Sequence, residues 1–285
     1  MRHAVLGAGG IGGLIAAVLA RGGANVVVLM RPQTLAGYEG QITVESTVLG
    51  DFAVEVPARS TLGGGVDFVW VAAKATQLEE ALAVAPVEQV ADATVLPLLN
   101  GIDHIALLRR RYANVVAGAI RVESERLATG RIRQTSPFLR VEVAGAELAA
   151  ADLRAGGVDC EIRTDELELL WEKLAFLAPV ALATTALDGP LGAVRDDERF
   201  RGCQDETLAV ARAEGARLDD VSIRALTRNT PDAMRSSMQK DVEAGFEPEL
   251  DAIAGPILRG AARHGFAATD TQRLVGLIAA RRGPV

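Results

Sequence analysis

The chain has 285 residues, 49% of them hydrophobic and 24% charged, with a mean hydropathy of +0.20; it can bury well over half its unfolded surface, which excludes a disordered or disulfide-stapled class. A net charge of −7 and an aromatic content of 4% exclude a nucleic-acid surface, since the sign repels phosphates and few rings are present for base stacking. Of the 30 basic residues only Lys74, Lys173 and Lys240 are lysines, so each lysine asks for a reason that arginine would not meet.

In chain order, His3 to Leu6, Val26 to Met30, Val66 to Ala73, Thr94 to Leu99 and Val115 to Ile120 read as strands of a parallel sheet covered on both faces, separated by helical periods. Gln41 to Ser46 and Arg140 to Ala144 alternate as half-exposed edge strands do, and Val158 to Arg163 reads as a last strand. Arg109-Arg110-Arg111 follows an apolar stretch and suits the last turn of a helix. Beyond Asp165 the strand signal ends, and Leu167, Leu170, Leu174 and Leu177 open a helical succession. Pro248 suits a helix start just before Glu249, and Gly265 a helix end. The expected class is α/β: a Rossmann-type dinucleotide-binding domain over 1–164, then an all-helical domain over 165–285.

Two uncharged runs invite a membrane reading. Ala4 to Ala20 carries five glycines between positions 7 and 13, which spoil a signal core, and Leu174 to Leu187 is short of the roughly 20 residues a span needs and contains Pro179. Cys160 and Cys203 form no close-spaced pair, as in a reducing compartment. His3, His104 and His264 are scattered and read as surface or helix-end residues, with no metal motif. The expectation is a soluble, cytoplasmic chain with no membrane, nucleic-acid or metal partner.

Gly7-Ala8-Gly9-Gly10-Ile11-Gly12 fits G-x-G-x-x-G between a strand and an apolar helix. Its first glycine permits the tight turn, the second lets backbone approach a pyrophosphate, and the third lets helix and strand pack closely. An acidic residue about 20 positions on would suit NAD; Met30 and Arg31 stand there instead, and Arg31 suits the 2′-phosphate of NADP. Lys74 and Gln77 follow a strand at the edge where open α/β sheets bind ligands, and Asn100-Gly101 ends another. Lys173 shares a helical stripe with Leu169, Leu170, Phe176, Leu177 and Val180, where an ammonium is costly unless it snorkels or is paired. A partly desolvated lysine exchanges a proton near neutral pH, which arginine does not do. Ser236 to Asp241 and Glu249-Leu250-Asp251 form a polar constellation around Gly245-Phe246-Glu247-Pro248, which by itself reads as caps and a turn.

Together, the glycine motif, Lys74-Ala75-Thr76-Gln77, Leu98-Leu99-Asn100-Gly101, Leu170-Trp171-Glu172-Lys173-Leu174, and Ser236-Ser237-Met238 through Asp241, Glu243 and Glu249-Leu250-Asp251 resemble the ketopantoate reductase (2-dehydropantoate 2-reductase) family over essentially the whole chain. The resemblance implies NADPH-dependent reduction of a small 2-oxo acid to the 2-hydroxy acid, as in pantothenate biosynthesis, and leaves room for a homodimer. It implies Lys173 as proton donor, Glu249 as the acid orienting the substrate hydroxyl and bordering the cofactor, and Ser237 as a substrate hydroxyl. Asn100 would touch both nicotinamide and substrate. Cofactor positions would be Gly7, Ala8, Gly9, Gly10, Ile11, Gly12, Arg31, Lys74 and Gln77, with Ser124 matched by its spacing after Gly118. Leu177, Ala181, Asp188 and Leu191 stand where the family usually carries Asn, so the acid reduced is left open, and Lys240 has no assigned role. The alternative is a non-catalytic NADPH-binding regulator or sensor. A short-chain dehydrogenase reading fails, because Ile42 and Val116 stand four residues after Tyr38 and Tyr112 where Lys is needed.

Overall fold

The computed structural model describes residues 1–281, so the last four residues of the expected 165–285 domain lie outside the described residues. The chain forms two compact units: Met1–Leu99 with His104–Glu166, and Asn100–Asp103 with the chain from Leu167 onward.

In the first unit the elements run β1 (Arg2–Leu6), α1 (Gly10–Arg21), β2 (Asn25–Leu29), α2 (Pro32–Leu35), β3 (Gln41–Ser46), β4 (Phe52–Glu55), β5 (Ala58–Arg59), β6 (Phe68–Val71), α3 (Leu78–Ala83), α4 (Val87–Val90), β7 (Thr94–Pro97), α5 (His104–Arg109), β8 (Gly118–Arg121), β9 (Ser124–Ala128), β10 (Arg131–Gln134), β11 (Arg140–Val143), α6 (Glu147–Ala155) and β12 (Asp159–Ile162). The main sheet is parallel, in the order β5-β2-β1-β6-β7. Along β1, Val5 joins one apolar cluster and Ala4 and Leu6 another, so both faces are covered, as the continuous apolar runs imply.

Not every expected strand enters that sheet. Val115–Ile120 contributes β8, which pairs antiparallel with β11 in a separate sheet ordered β12-β11-β8, and a lone bridge joins Val115 to Val95 of β7. Gln41–Ser46 is the inner strand β3 of a second small sheet, β4-β3-β10-β9, rather than an edge. α1 touches β2 on one side and β9, β10 and α6 on others, which is why every residue from Gly12 to Leu19 is buried and the helix is apolar all round.

His3 also departs from expectation, because it is 1% exposed inside β1 instead of on the surface. Its Nδ1 accepts from Trp70 Nε1 at 3.0 Å, so the ring proton sits on Nε2, which donates to Asp152 Oδ2 at 2.9 Å. Cys160 and Cys203 are buried and unpaired, and burial pushes their thiols up to about 11 and about 12, which makes both inert at neutral pH.

The second unit is built from α7 (Glu166–Leu187), α8 (Leu191–Val194), α9 (Glu198–Ala213), α10 (Asp220–Asn229), α11 (Ser237–Glu243), α12 (Leu250–His264) and α13 (Thr269–Arg281). α7 runs through Pro179, making the apolar run part of a 22-residue helix. Among the described residues it is the one helix long and apolar enough to cross a membrane, and 83% of its most apolar stretch is buried inside the protein. That burial is against α9 to α13 around Trp171 and Phe200, each 1% exposed, so α7 is the core helix of this unit. Glu206 of α9 caps α13, accepting from Asp270 N and Thr271 N at 2.8 Å each.

Candidate active site

In the main sheet the chain passes from central β1 to β2 on one side and later returns to β6 on the other, so the carboxyl ends of β1 and β6 flank a topological switch point. The glycine turn follows β1 and Lys74 follows β6 at this edge. The three motif glycines are needed for different reasons. Gly7 has φ +101°, and a Cβ there would sit 3.1 Å from the Ala72 carbonyl. At Gly12 a Cβ would lie 1.8 Å from the Gly7 carbonyl, so helix and turn touch through its missing side chain. At Gly9 a Cβ meets nothing within 4 Å, which leaves open space on the outer side of the turn. Gly9 is also the N-cap of α1 and makes no side-chain capping bond, so the positive end of that helix faces this space. The arrangement suits a pyrophosphate.

Ser124 is placed behind the turn: its hydroxyl donates to the Gly10 carbonyl at 2.9 Å, and a Cβ on Gly10 would press on the Ser124 carbonyl at 2.3 Å. Its observed work is to brace the turn. Ala8 and Ile11 pack on the core cluster beneath. Arg31 precedes α2, is exposed, and lies 3.8 Å from the Glu80 carboxylate, a pair screened by solvent on both sides. Lys74 is half-buried, its carbonyl accepts from Gln77 N at 2.9 Å, and the Gln77 side chain is exposed.

The remaining predicted residues belong to the second unit. Asn100 and Glu249, 149 positions apart, are brought together: Asn100 Nδ2 donates to Glu249 Oε2 at 3.0 Å, with Glu249 8% exposed. The contact requires Gly101, whose φ is +80° and whose Cβ would lie 2.1 Å from the Ala252 carbonyl in the first turn of α12. Lys173, also 8% exposed, projects from α7 between Leu169, Leu170 and Leu174, all buried. Its methylenes are therefore desolvated, while its ammonium is the one titratable group on α7 that can both hold positive charge and give up a proton. Ser237 is exposed at the first position of α11; the adjacent Ser236 is the hydroxyl tied to α7, 2.8 Å from Thr184 Oγ1, and it caps α11 by accepting from Gln239 N.

The departures from the Asn pattern have structural explanations. Ala181 and Leu191 are buried at 1% and 0% exposure in the helical core, and Leu177 is half-buried against it. Asp188 ends α7 with φ +55° and pairs with Arg281 at 2.5 Å, while the same guanidinium caps the helix's last carbonyls by donating to Thr185 O at 2.8 Å. Sequence reasoning missed Asp103 and Arg259: Arg259 Nη1 donates to Asp251 Oδ1 at 2.7 Å and Nη2 to Asp103 Oδ2. The available signal was the spacing of Asp251, Gly255 and Arg259 on one face of α12.

Comparison with known proteins identifies the family and matches the fold. The family model described as ketopantoate reductase PanE/ApbA matches residues 3–144, and the model for its C-terminal part matches 166–282. A 2-dehydropantoate 2-reductase of Mycobacterium tuberculosis is 30% identical, with 97% of this chain and 96% of that protein covered; one of Caulobacter vibrioides is 29% identical, with 96% and 97% covered. The crystal structure of a PanE/ApbA family ketopantoate reductase from Ralstonia eutropha JMP134 superposes with a TM-score of 0.88 at 28% identity, covering 99% of this chain and 98% of that one. D-mandelate dehydrogenase with NADH and anilino(oxo)acetate shares the fold, with a TM-score of 0.85 at 20% identity and coverage of 99% and 98%. By both of its halves, the chain belongs to the ketopantoate reductase family of oxidoreductases.

Proposed function

We propose that this protein reduces a 2-oxo acid to the 2-hydroxy acid with NADPH, 2-dehydropantoate being the first substrate to test, and that residues 1–164 carry the cofactor while 165–285, joined by Asn100, carry the substrate groups. The observation that carries the reading is the meeting of Asn100 with Glu249 in the unit that buries Lys173. NADPH, when bound, supplies the hydride that reaches the ketone carbon. Gly7 to Gly12 and the amino end of α1 hold its pyrophosphate, Arg31 meets the 2′-phosphate, and Lys74 and Gln77 line the same sheet edge.

Lys173 gives its Nζ proton to the ketone oxygen as negative charge develops there, and its positive charge stabilises that oxygen beforehand. The Glu249 carboxylate accepts from the new hydroxyl and, by accepting from Asn100, fixes the amide that faces the substrate. Ser237 donates to the substrate. Proton replacement from solvent restores the lysine for the next turnover.

The test is NADPH oxidation by purified protein with 2-dehydropantoate and a panel of branched and aromatic 2-oxo acids. Lys173→Ala abolishes the rate, and Lys173→Arg is nearly as poor, since general acid catalysis contributes on the order of 10²–10⁴-fold and arginine keeps charge without a transferable proton. NADPH binding with no oxidation across the panel overturns the reductase reading in favour of a sensor. Full activity in Lys173→Arg overturns the role of Lys173.

A further inference from the structure

The turn after β7 is fastened to α12 by more than the Asn100 amide. At Gly101 the backbone lies directly on the Ala252 carbonyl, a contact that admits no Cβ. Two residues on, the Asp103 carboxylate receives Arg259, which also holds Asp251 at 2.7 Å. Asp251, Gly255 and Arg259 follow one another at four-residue spacing on α12, and a Cβ on Gly255 would sit 2.2 Å from Arg259 Nη2 and 2.6 Å from Asp251 Oδ1. The missing side chain at Gly255 thus lets the guanidinium lie along the helix and span two carboxylates, one on α12 and one on the turn. Planar guanidinium with two donating edges suits this; an ammonium does not.

This strap lies on the surface, with the Arg259 side chain 46% exposed, so its contribution to global stability is small. Its place matters more. It closes the far side of a four-residue turn whose first residue, Asn100, carries the amide held on Glu249. Misplacement of a positioned group by about 1 Å costs on the order of 10²-fold in rate even where stability hardly changes.

We propose that Arg259, acting through Asp103 and Asp251, is a positioning residue that keeps Asn100 on Glu249 during reduction, an inference that rests on the reductase reading above. The experiment compares Arg259→Ala, Asn100→Ala and the double variant in steady-state NADPH oxidation, together with backbone hydrogen exchange in the intact protein. Arg259→Ala is expected to lower kcat about tenfold, within the range for a mispositioned group, with KM for NADPH changed less than about twofold. The loss is expected to vanish in the Asn100→Ala background, since the strap acts only through that amide. Arg259→Lys recovers part of the rate, because a point charge holds one carboxylate at a time. A kcat unchanged by Arg259→Ala overturns the proposal, as does an equal loss in both backgrounds. If the wild-type protein reduces no 2-oxo acid, the reductase reading fails and the catalytic role of Arg259 with it, and exchange then decides only whether Arg259 holds the turn: faster exchange at Ile102 and Asp103 in Arg259→Ala shows that it does, and unchanged exchange overturns that as well.

Discussion

The glycine turn makes a paired prediction in which two neighbouring substitutions have opposite consequences. Gly12→Ala places a Cβ 1.8 Å from the Gly7 carbonyl and 3.2 Å from Ala72 Cβ. Neither neighbour is the flexible end of a side chain, and α1 is buried from Gly12 to Leu19, so the helix must move bodily by more than 1 Å to relieve a contact normally above about 3 Å. Overpacking of this kind costs about 1–3 kcal/mol or more, and the improved helix propensity of Ala returns at most about 1 kcal/mol. Gly12→Ala is therefore expected to lose about 1–2 kcal/mol, a fall in melting temperature of roughly 2–8 °C for a unit of this size.

Gly9→Ala meets nothing within 4 Å, and its φ of −77° and ψ of −171° suit any residue. Its cost to stability is that of a poorer N-cap, about 0.5 kcal/mol. The new methyl group fills the space at the open end of α1, so NADPH affinity is expected to fall at least about thirtyfold, equivalent to about 2 kcal/mol. Urea denaturation reads the first quantity, and fluorescence titration with NADPH reads the second. A Gly9→Ala protein that binds NADPH like the wild type refutes the placement of the pyrophosphate at this turn. A Gly12→Ala protein as stable as the wild type refutes the packing argument.

Arg31→Ala should weaken NADPH by at least about tenfold while leaving NADH within about twofold, because the exposed Glu80 pair contributes little and a charged hydrogen bond to the 2′-phosphate is worth about 1.5–3 kcal/mol; equal losses for both cofactors would remove that role. The buried His3 sets a pH dependence on stability. Burial lowers its pKa below 6.5, outweighing the Asp152 hydrogen bond that raises it, so the unfolded chain binds the proton more readily. Stability should fall as pH drops below 6.5, by up to about 1.4 kcal/mol per pH unit, and level off below the folded-state pKa, since a proton on Nδ1 would face the Trp70 N–H. Urea midpoints between pH 5 and 7.5 should show this slope, and His3→Gln should lack it; an identical slope in the variant would place its origin elsewhere.

The β1–α1–β2 unit was legible because its information is local: apolar strands, a glycine turn and a helix within thirty residues. β4 and β9 were not legible. β4 alternates between half-buried and exposed residues, and β9 is exposed beyond Ser124, so neither carries an apolar run to mark it. They exist because β3 and β10 supply partners, and pairing across the chain leaves little trace in either strand's own composition. The buried His3 was misread for the same reason, as its partners Trp70 and Asp152 lie 67 and 149 positions away.

By itself the sequence determined the glycine turn between β1 and α1, the change from mixed to helical structure after Asp165, and Lys173 as the cation worth singling out. These depend on backbone freedom at glycine, on periodicity along one element, and on a proton chemistry that arginine lacks. Only the tertiary structure decided that Asn100–Asp103 packs with the helical unit, that Asn100 meets Glu249, that Ser124 braces the turn, and that Asp188 closes α7 with Arg281. Each of those is a contact between residues far apart in the chain, fixed by where a missing Cβ or a buried partner lets two backbones approach.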